Sequence, residues 1–502
     1  MQKVLNSIIS EDQTGYIKKR FIGNNVRVIE DIIDYVEKVN IGGVILFLDF
    51  QKAFDTVEWK FMMEALNKFN FGKDFINWIK VLYNTPKATI KNNGWLSESF
   101  TLNRGIRQGC PVSALLFLLV VEILAIRIKS DPNFKGISIM HKNKLTEYKV
   151  RQFADDMSLF LYSPHYIQNT LDIITPFSHV SGLKLNMSKT EALGIGIYKN
   201  IEFDTKGLRL ATTPVRCLGI FIGFNKAECF KLNWENKLKK FQEILDQWRT
   251  RELTLLGKVQ IIKSLAVSQF TYLITNLPTD DATLNKINKS LYAFLWKKTD
   301  RIKRLKLLNP IEKGGVSMID IFSYAASLKA SWVKRILESN DENLKFIPNI
   351  YFNLFEDFNN HIVLRMKFRN TQQLPIFGKI PLFYQQVILG HISCTKDDIV
   401  TDDFSSEILF GNPKFMIGKK KHAHTLFFPS WIKSGLIYLK NLKYDNGKLD
   451  IDYVLNVLHR SANTLIEIHK MQNAITLYIK GKSNTPTLLP LPNIQIKTSK
   501  AY

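Results

Sequence analysis

FADDMSLFL, residues 153–161, sets two adjacent carboxylates, Asp155 and Asp156, inside an apolar stretch. Neighbouring carboxylates repel. Near an apolar core each is costly to desolvate unless a cation or strong hydrogen bonds compensate. The flanking runs YKVRQFA and MSLFLY are rich in aliphatic and aromatic residues and predict two short strands. The aspartates then fall in the turn between them, where Asp is at home for steric reasons alone. Two readings stand at this point: a solvated hairpin turn, or a site where a cation offsets the charge.

A second stretch bears on that choice. GVILFLDF (43–50) reads as a buried strand that ends on Asp49, within LDFQKAFDTVEW (48–59). Alone, Asp49 is equally a strand-end or helix-start residue. If its strand neighbours the hairpin of Asp155, two carboxylates converge. Magnesium takes hard oxygen ligands from one or two carboxylates plus substrate phosphates. Two such ions about 3.5–4 Å apart clamp the attacking and leaving oxygens of an in-line phosphoryl displacement.

Around these stretches the pattern is mixed helix and strand. Residues 1–40 read as helical, most clearly VRVIEDIIDYVEKV (26–39), and Gly42-Gly43 break the helix. A helix is expected over 56–83 with Thr56 as N-cap. ATIKNNGWLSESFTL (88–102) predicts a hairpin turning at Asn93-Gly94. RGIRQGCP (104–111) is a loop leading into a helix over 112–129, and a further helix is expected at about 165–181. GLKLNMSKTEALGIGI (182–197) reads as turn and strand, and RCLGIFIG (216–223) as one short strand. Beyond about 230, Lys-rich helical segments dominate, then a mixed region; GKKKHAH (418–424) and the tail from Ser483 read as loops.

The chain has 502 residues, 45% of them hydrophobic, which is enough for several domains with large cores and argues against disorder. Its net charge of +24 points to a polyanionic partner, nucleic acid before acidic membrane. Basic and aromatic residues interleave, as in WKKTDRIKRLKLL (296–308), which suits phosphate and base contacts together. The cysteines Cys110, Cys217, Cys229 and Cys394 form no CxxC pair, which disfavours a disulfide framework or zinc finger and fits a reducing, intracellular location, nucleus or cytoplasm. VSALLFLLVVEILAI (112–126) is too short to span a bilayer and carries Glu122, so a buried helix is expected and no membrane association. His422 and His424 read as a solvated basic loop, His391 and Cys394 lack further ligands, and Trp431 reads as core.

FADD, LDFQKAFD, RGIRQGCPVSALLF and GLKLNMSKTE occur in the order found in reverse transcriptases of non-LTR (LINE-type) retrotransposons, which this chain resembles. QTGYIKKRFIGNN (13–25) is similar to the block before the first catalytic aspartate, RCLGIFIG to the primer grip, and LTLLGKVQIIKSLAVSQFTYLITNLP (253–278) and EKGGVSMIDI (312–321) to thumb and post-thumb segments. The resemblance runs from about residue 3 to about 340 and implies an α+β right-hand polymerase. Residues 1–223 would be the palm, with a small antiparallel sheet and partial fingers. Residues 224–340 would be a helical thumb, and 341–502 a basic C-terminal region.

The resemblance further implies RNA-directed DNA synthesis from dNTPs on an RNA template and DNA primer, with two Mg²⁺ ions. Asp49, Asp155 and Asp156 would be catalytic, with the backbone carbonyl of Phe50 joining the metal ligands. Phe54 would lie under the sugar and exclude a 2′-hydroxyl, core packing being its other reading. Gln108 and Gly109 would line the nucleotide pocket, Lys189 would sit near the triphosphate or stand solvated, and Leu218 and Gly219 would belong to the primer grip. Asp55 reads as structural, a cap of the next helix. The chain lacks the family's basic fingers segment, its apurinic-type endonuclease and its Cys/His knuckle, so it is expected to be an excerpt truncated at the N-terminus. Lys18, Lys19 and Arg20 are then the nearby basic cluster for a triphosphate. The alternative function is a remnant that binds the RNA–DNA hybrid without polymerising.

Overall fold

The structure is a computed structural model that describes residues 1–352 except 142, 213, 297 and 298, and, further on, chiefly 380–395, 428–443, 449–458 and 462–482 with short stretches among 378–426. GKKKHAH apart from His424, and the tail from Ser483, lie outside the described residues. The chain divides into two compact units, one of residues 1–328 and 334–348, the other of 329–333 and 349–502.

In the first unit α1 (Gln2–Ile8) and α2 (Gly23–Val39) precede strand β1 (Gly42–Leu48). Helices α3 (Ala53–Thr56), α4 (Trp59–Lys68) and α5 (Lys73–Leu82) follow. A hairpin of short strands comes next, β2 (Lys87–Ala88), β3 (Lys91–Asn92), β4 (Trp95–Leu96) and β5 (Phe100–Thr101). Then come α6 (Ser113–Ser130), β6 (Ile137–His141), β7 (Lys144–Tyr148), β8 (Val150–Phe153), β9 (Asp156–Leu161) and α7 (Tyr166–Ser181). Strands β10 (Glu191–Gly196), β11 (Arg209–Leu210), β12 (Val215–Cys217) and β13 (Ile220–Ile222) lead into the helices α8 (Lys226–Arg249), α9 (Leu255–Ile261), α10 (Ser268–Asn276) and α11 (Asp281–Trp296).

The fold class is α+β, with small sheets that are antiparallel apart from one pairing. The central sheet runs in the order β11-β10-β1-β9-β8, and only β10 and β11 are parallel. GVILFL is apolar without alternation because both of its faces are covered. Val44, Leu46 and Leu48 join the core built with α6 and α7. Ile45 is equally buried on the opposite face, where α2 packs against β8 and β10. Helix α6 is apolar nearly all round and buried, as a short greasy helix with an internal Glu should be. No helix among the described residues is long and apolar enough to cross a membrane.

The polar side of α2 is also used. Glu30 and Asp34 receive Lys226, at the start of α8, at 2.6 and 3.0 Å. Arg151, buried in β8, is held by Asp341 at 2.5 and 3.2 Å, which pins the segment around residue 341 to the sheet. Burial opposes the charge of Arg151, but Asp341 and Asp12 outweigh it and its pKa is raised.

Several boundaries differ from those the sequence predicts. Residues 1–40 are two helices separated by an irregular stretch, not one helical run. The helix expected over 56–83 is broken at 69–72, where Asn70 takes a φ of 58°. Thr56 is not an N-cap: its hydroxyl donates back to the carbonyls of Lys52 and Ala53, and α4 starts at Trp59. Asp55 makes no side-chain cap on α4 either. RCLGIFIG is two strands around a tight turn, because Leu218 and Gly219 both have positive φ, 49° and 78°. The hairpin at Asn93-Gly94 is present as expected.

The second unit has its own aromatic core. Trp332 and Phe383 meet edge to face at 5.8 Å. Trp431 is buried, consistent with a core role, and its indole N–H donates to Glu467 at 2.9 Å.

Candidate active site

The ladder between β1 and β9 pairs Leu48 with Met157. Asp49 is the residue after Leu48 and Asp156 the residue before Met157, and Asp49 acts on the charge of Asp156. Asp155 sits beside them in the turn between β8 and β9, where Phe153 pairs with Asp156. Three carboxylates from distant parts of the chain therefore share one end of the sheet. The backbone of Asp49 is fixed by a third segment: its N–H donates to Thr190 Oγ1 at 3.2 Å, and its carbonyl accepts from Asn186 N–H at 2.7 Å. Phe50 bridges to Leu185 on that same segment.

The turn is strained and clamped. Ala154 takes a φ of 54°, a left-handed conformation that L side chains disfavour. Gln13, fully buried, holds it: Oε1 accepts from Ala154 N–H at 2.9 Å, and Nε2 donates to the Gln152 amide oxygen at 2.9 Å. Gly15 lies against the turn so closely that an added Cβ would be 2.6 Å from Ala154 N. Sequence reasoning found QTGY only as a family block and gave Gln13 and Gly15 no role. A polar Gln two residues before a Gly in a predicted helical stretch was the available signal.

The charges in the site are unbalanced. Burial raises the pKa of Asp155, and Asp49 adds to the rise. Asp156 is open to solvent at its surface, yet protein surrounds it closely enough that desolvation, then Asp155, then Asp49, push it up to about 6. Among the described residues no cationic side chain lowers the pKa of either carboxyl. A divalent ion would relieve that repulsion, so the donor set fits one. Among the described residues no group of three or more His, Cys, Asp or Glu is placed to hold a metal ion by itself. An open set of carboxylates is what magnesium uses when substrate phosphates complete its shell.

Phe54 is half-buried and stacks on Phe117, ring centroids 4.3 Å apart, so part of the ring is core and part is left to face outward. Its carbonyl accepts from Ile106 N–H at 2.6 Å, which ties α3 to the loop of Gln108 and Gly109. Both of those residues are exposed, and Gly109 has a φ of 84° that suits glycine. Lys189 is exposed, next to the Thr190 that receives Asp49 N–H. Leu218 and Gly219 form the β12–β13 turn, with the Leu218 carbonyl accepting from Tyr272 OH at 3.0 Å. That hairpin borders the carboxylates: Cys217 Sγ is 3.9 Å from Ser158 Oγ, and its thiol is pushed up to about 12 by burial, with Asp156 contributing. Of the basic trio, Arg20 is not free for a ligand. Its guanidinium donates to the carbonyls of Ile9 and Gln13 at 2.9 and 2.7 Å and pairs with Glu11. Lys18 and Lys19 are exposed.

Residues 1–222 match the family described as reverse transcriptase (RNA-dependent DNA polymerase). Those residues are a reverse transcriptase domain. The resemblance drawn from the order of FADD, LDFQKAFD and RGIRQGCP is thereby borne out. Among its relatives, a transposon TX1 uncharacterised 149 kDa protein of Xenopus laevis is 24% identical over 345 residues, 67% of this chain and 26% of that protein. The retrovirus-related Pol polyprotein from the type-2 retrotransposable element R2DM of Drosophila melanogaster is 30% identical over 193 residues, 38% of this chain and 18% of the relative. The chain thus spans about a quarter or less of the length of these relatives. A solved telomerase from Candida tropicalis in complex with a fragment of telomeric RNA aligns over 70% of this chain and 55% of its own, with 11% identity and a TM-score of 0.38.

Proposed function

We propose that this chain is an RNA-directed DNA polymerase of a non-LTR retrotransposon, joining dNTPs to a primer 3′-hydroxyl on an RNA template. The observation that carries the reading is the meeting of Asp49, Asp155 and Asp156 at one sheet end, where burial and repulsion raise the pKa of Asp155 and Asp156, inside a reverse transcriptase domain. Two Mg²⁺ ions held by Asp49, the Phe50 carbonyl and Asp155, with Asp156 beside them, would supply charge neutralisation for nucleophile and leaving pyrophosphate. The protein's own part is positioning. Gln13 and Gly15 hold the aspartate turn, and Asn186 and Thr190 hold Asp49.

Residues 1–223 serve as palm with partial fingers, and 224–340 as helical thumb on the hybrid. The exposed part of Phe54 meets the sugar of the incoming nucleotide, where a ring leaves no room for a 2′-hydroxyl. Gln108 and Gly109 line the nucleotide, and Gly109 permits close backbone approach. Lys189 sits beside the phosphates, and the Leu218-Gly219 turn supports the primer end. The net charge of +24 holds template, primer and hybrid through their backbones, which makes affinity fall steeply with salt. Primer extension on poly(rA)/oligo(dT) with dTTP and Mg²⁺ tests this. Labelled product is expected; hybrid binding without any extension would leave only the binding function.

A further inference from the structure

Residues 87–101 project from the first unit as a two-tier hairpin. Its foot is the pairing of Lys87 with Thr101, and its tip the pairing of Lys91 with Leu96 and of Asn92 with Trp95. Every residue from 89 to 101 is exposed. Even so, the hairpin carries large apolar side chains in the open: Trp95 is 82% exposed, Leu96 67%, Ile90 62% and Phe100 46%. A free-standing hairpin is marginal in water, and so much uncovered apolar surface marks an interaction site. The charges say what kind. Lys87, Lys91, Arg104 and Arg107 are basic across 87–107, against a single acid, Glu98. The segment leads directly into the loop of Gln108 and Gly109: Leu102 N–H donates to the Pro86 carbonyl at the foot, and Ile106 N–H to the Phe54 carbonyl.

We propose that this hairpin is a binding platform for single-stranded nucleic acid, the unpaired template ahead of the site. The inference rests on the polymerase reading above. Trp95 offers a free ring face for a base, and Lys87 and Lys91 meet the backbone phosphates. Base stacking of this kind is sequence-tolerant, as a polymerase requires. A membrane or a protein is the weaker fit, because Trp95 with Asn92 and Leu96 with Lys91 lie on opposite faces of one narrow ribbon, so neither face is a broad apolar patch.

The test compares affinities of the full chain for a blunt RNA–DNA hybrid and for the same hybrid with a 5′ RNA overhang of about ten nucleotides, within the range such platforms cover. Wild type should prefer the overhang. Trp95→Ala should lower overhang affinity by about tenfold, the loss of one stacked base, and leave the blunt hybrid unchanged. Trp95→Phe should retain the preference, and Lys87→Gln with Lys91→Gln should flatten its salt dependence. Equal affinities of wild type and Trp95→Ala for the overhang, or equal losses on both substrates, overturn the hairpin's role while leaving the polymerase reading intact. Self-association of wild type that Trp95→Ala abolishes would assign the face to a second copy and overturn it too. Failure of wild type to bind either hybrid would contradict the polymerase reading itself, and the proposal with it.

Discussion

Asp49 directly follows Leu48 and Asp156 directly precedes Met157, the last pair of the β1–β9 ladder, and Asp49 helps to raise the pKa of Asp156. Two carboxylates at such a spacing repel unless something positive lies between them. Magnesium should therefore stabilise the folded chain, since whatever binds the native state alone raises its stability. Thermal unfolding in EDTA and in millimolar Mg²⁺ checks this. Wild type should unfold higher with the ion, Asp49→Asn should lose most of that gain, and Asp156→Asn should be more stable than wild type in EDTA. An identical Mg²⁺ response in wild type and Asp49→Asn would place the ion elsewhere.

The clamp on the aspartate turn makes its own prediction. Gly15→Ala would drive a Cβ to 2.6 Å from Ala154 N and move the turn. Gln13→Ala would strip the acceptor from the Ala154 N–H in a buried setting, a loss of about 1–3 kcal/mol. Both variants should fall at least tenfold in extension rate while keeping hybrid affinity, because misplacement of about 1 Å is enough for such losses. Single-turnover incorporation and urea unfolding on the same preparations separate the two effects.

Phe54 has two jobs in this account, a stacking contact with Phe117 and an outward edge. Phe54→Val should raise the ratio of ribonucleotide to deoxynucleotide incorporation by about tenfold or more, the scale of a few lost or gained contacts in a pocket. It should also cost about 1 kcal/mol of stability through the lost ring pair. Single-nucleotide incorporation with dTTP and UTP reads the first. An unchanged ratio would reduce Phe54 to core packing.

Glu122 lies buried in α6, and burial raises its pKa more than the Ser10 contact and Lys129 lower it. A carboxyl with a folded pKa above its unfolded value favours folding below the unfolded value, about 4.3, and that contribution is lost as pH rises through the folded value. Glu122→Gln escapes this titration. The stability of Glu122→Gln relative to wild type should increase from pH 4 to pH 7. Urea midpoints at the two pH values measure it, and a gap that narrows instead would contradict the sign.

The parts of the fold written in local pattern were legible in the sequence. GVILFLDF, the runs flanking Asp155-Asp156 and the greasy stretch at 112–126 form β1, β8, β9 and α6, because continuous apolar runs and turn residues act through neighbours in the chain. The break at 69–72 had a signal in Gly72, but helical periodicity on both sides masked it. The path of residues 9–22 had none. Gln13 and Thr14 bond to β8 across more than 130 residues, and no periodicity reports such contacts. RCLGIFIG misled for a related reason: Leu218 at a φ of 49° is a conformation for which leucine gives no warning.

The most direct test of the whole account is the rate of dTTP incorporation on poly(rA)/oligo(dT) by Asp155→Ala against wild type, with hybrid binding measured alongside. Wild type should extend the primer, and Asp155→Ala should fall by about 10²-fold or more, as loss of electrostatic support for the transition state does, with hybrid affinity nearly unchanged. Extension by Asp155→Ala at close to the wild-type rate would contradict it.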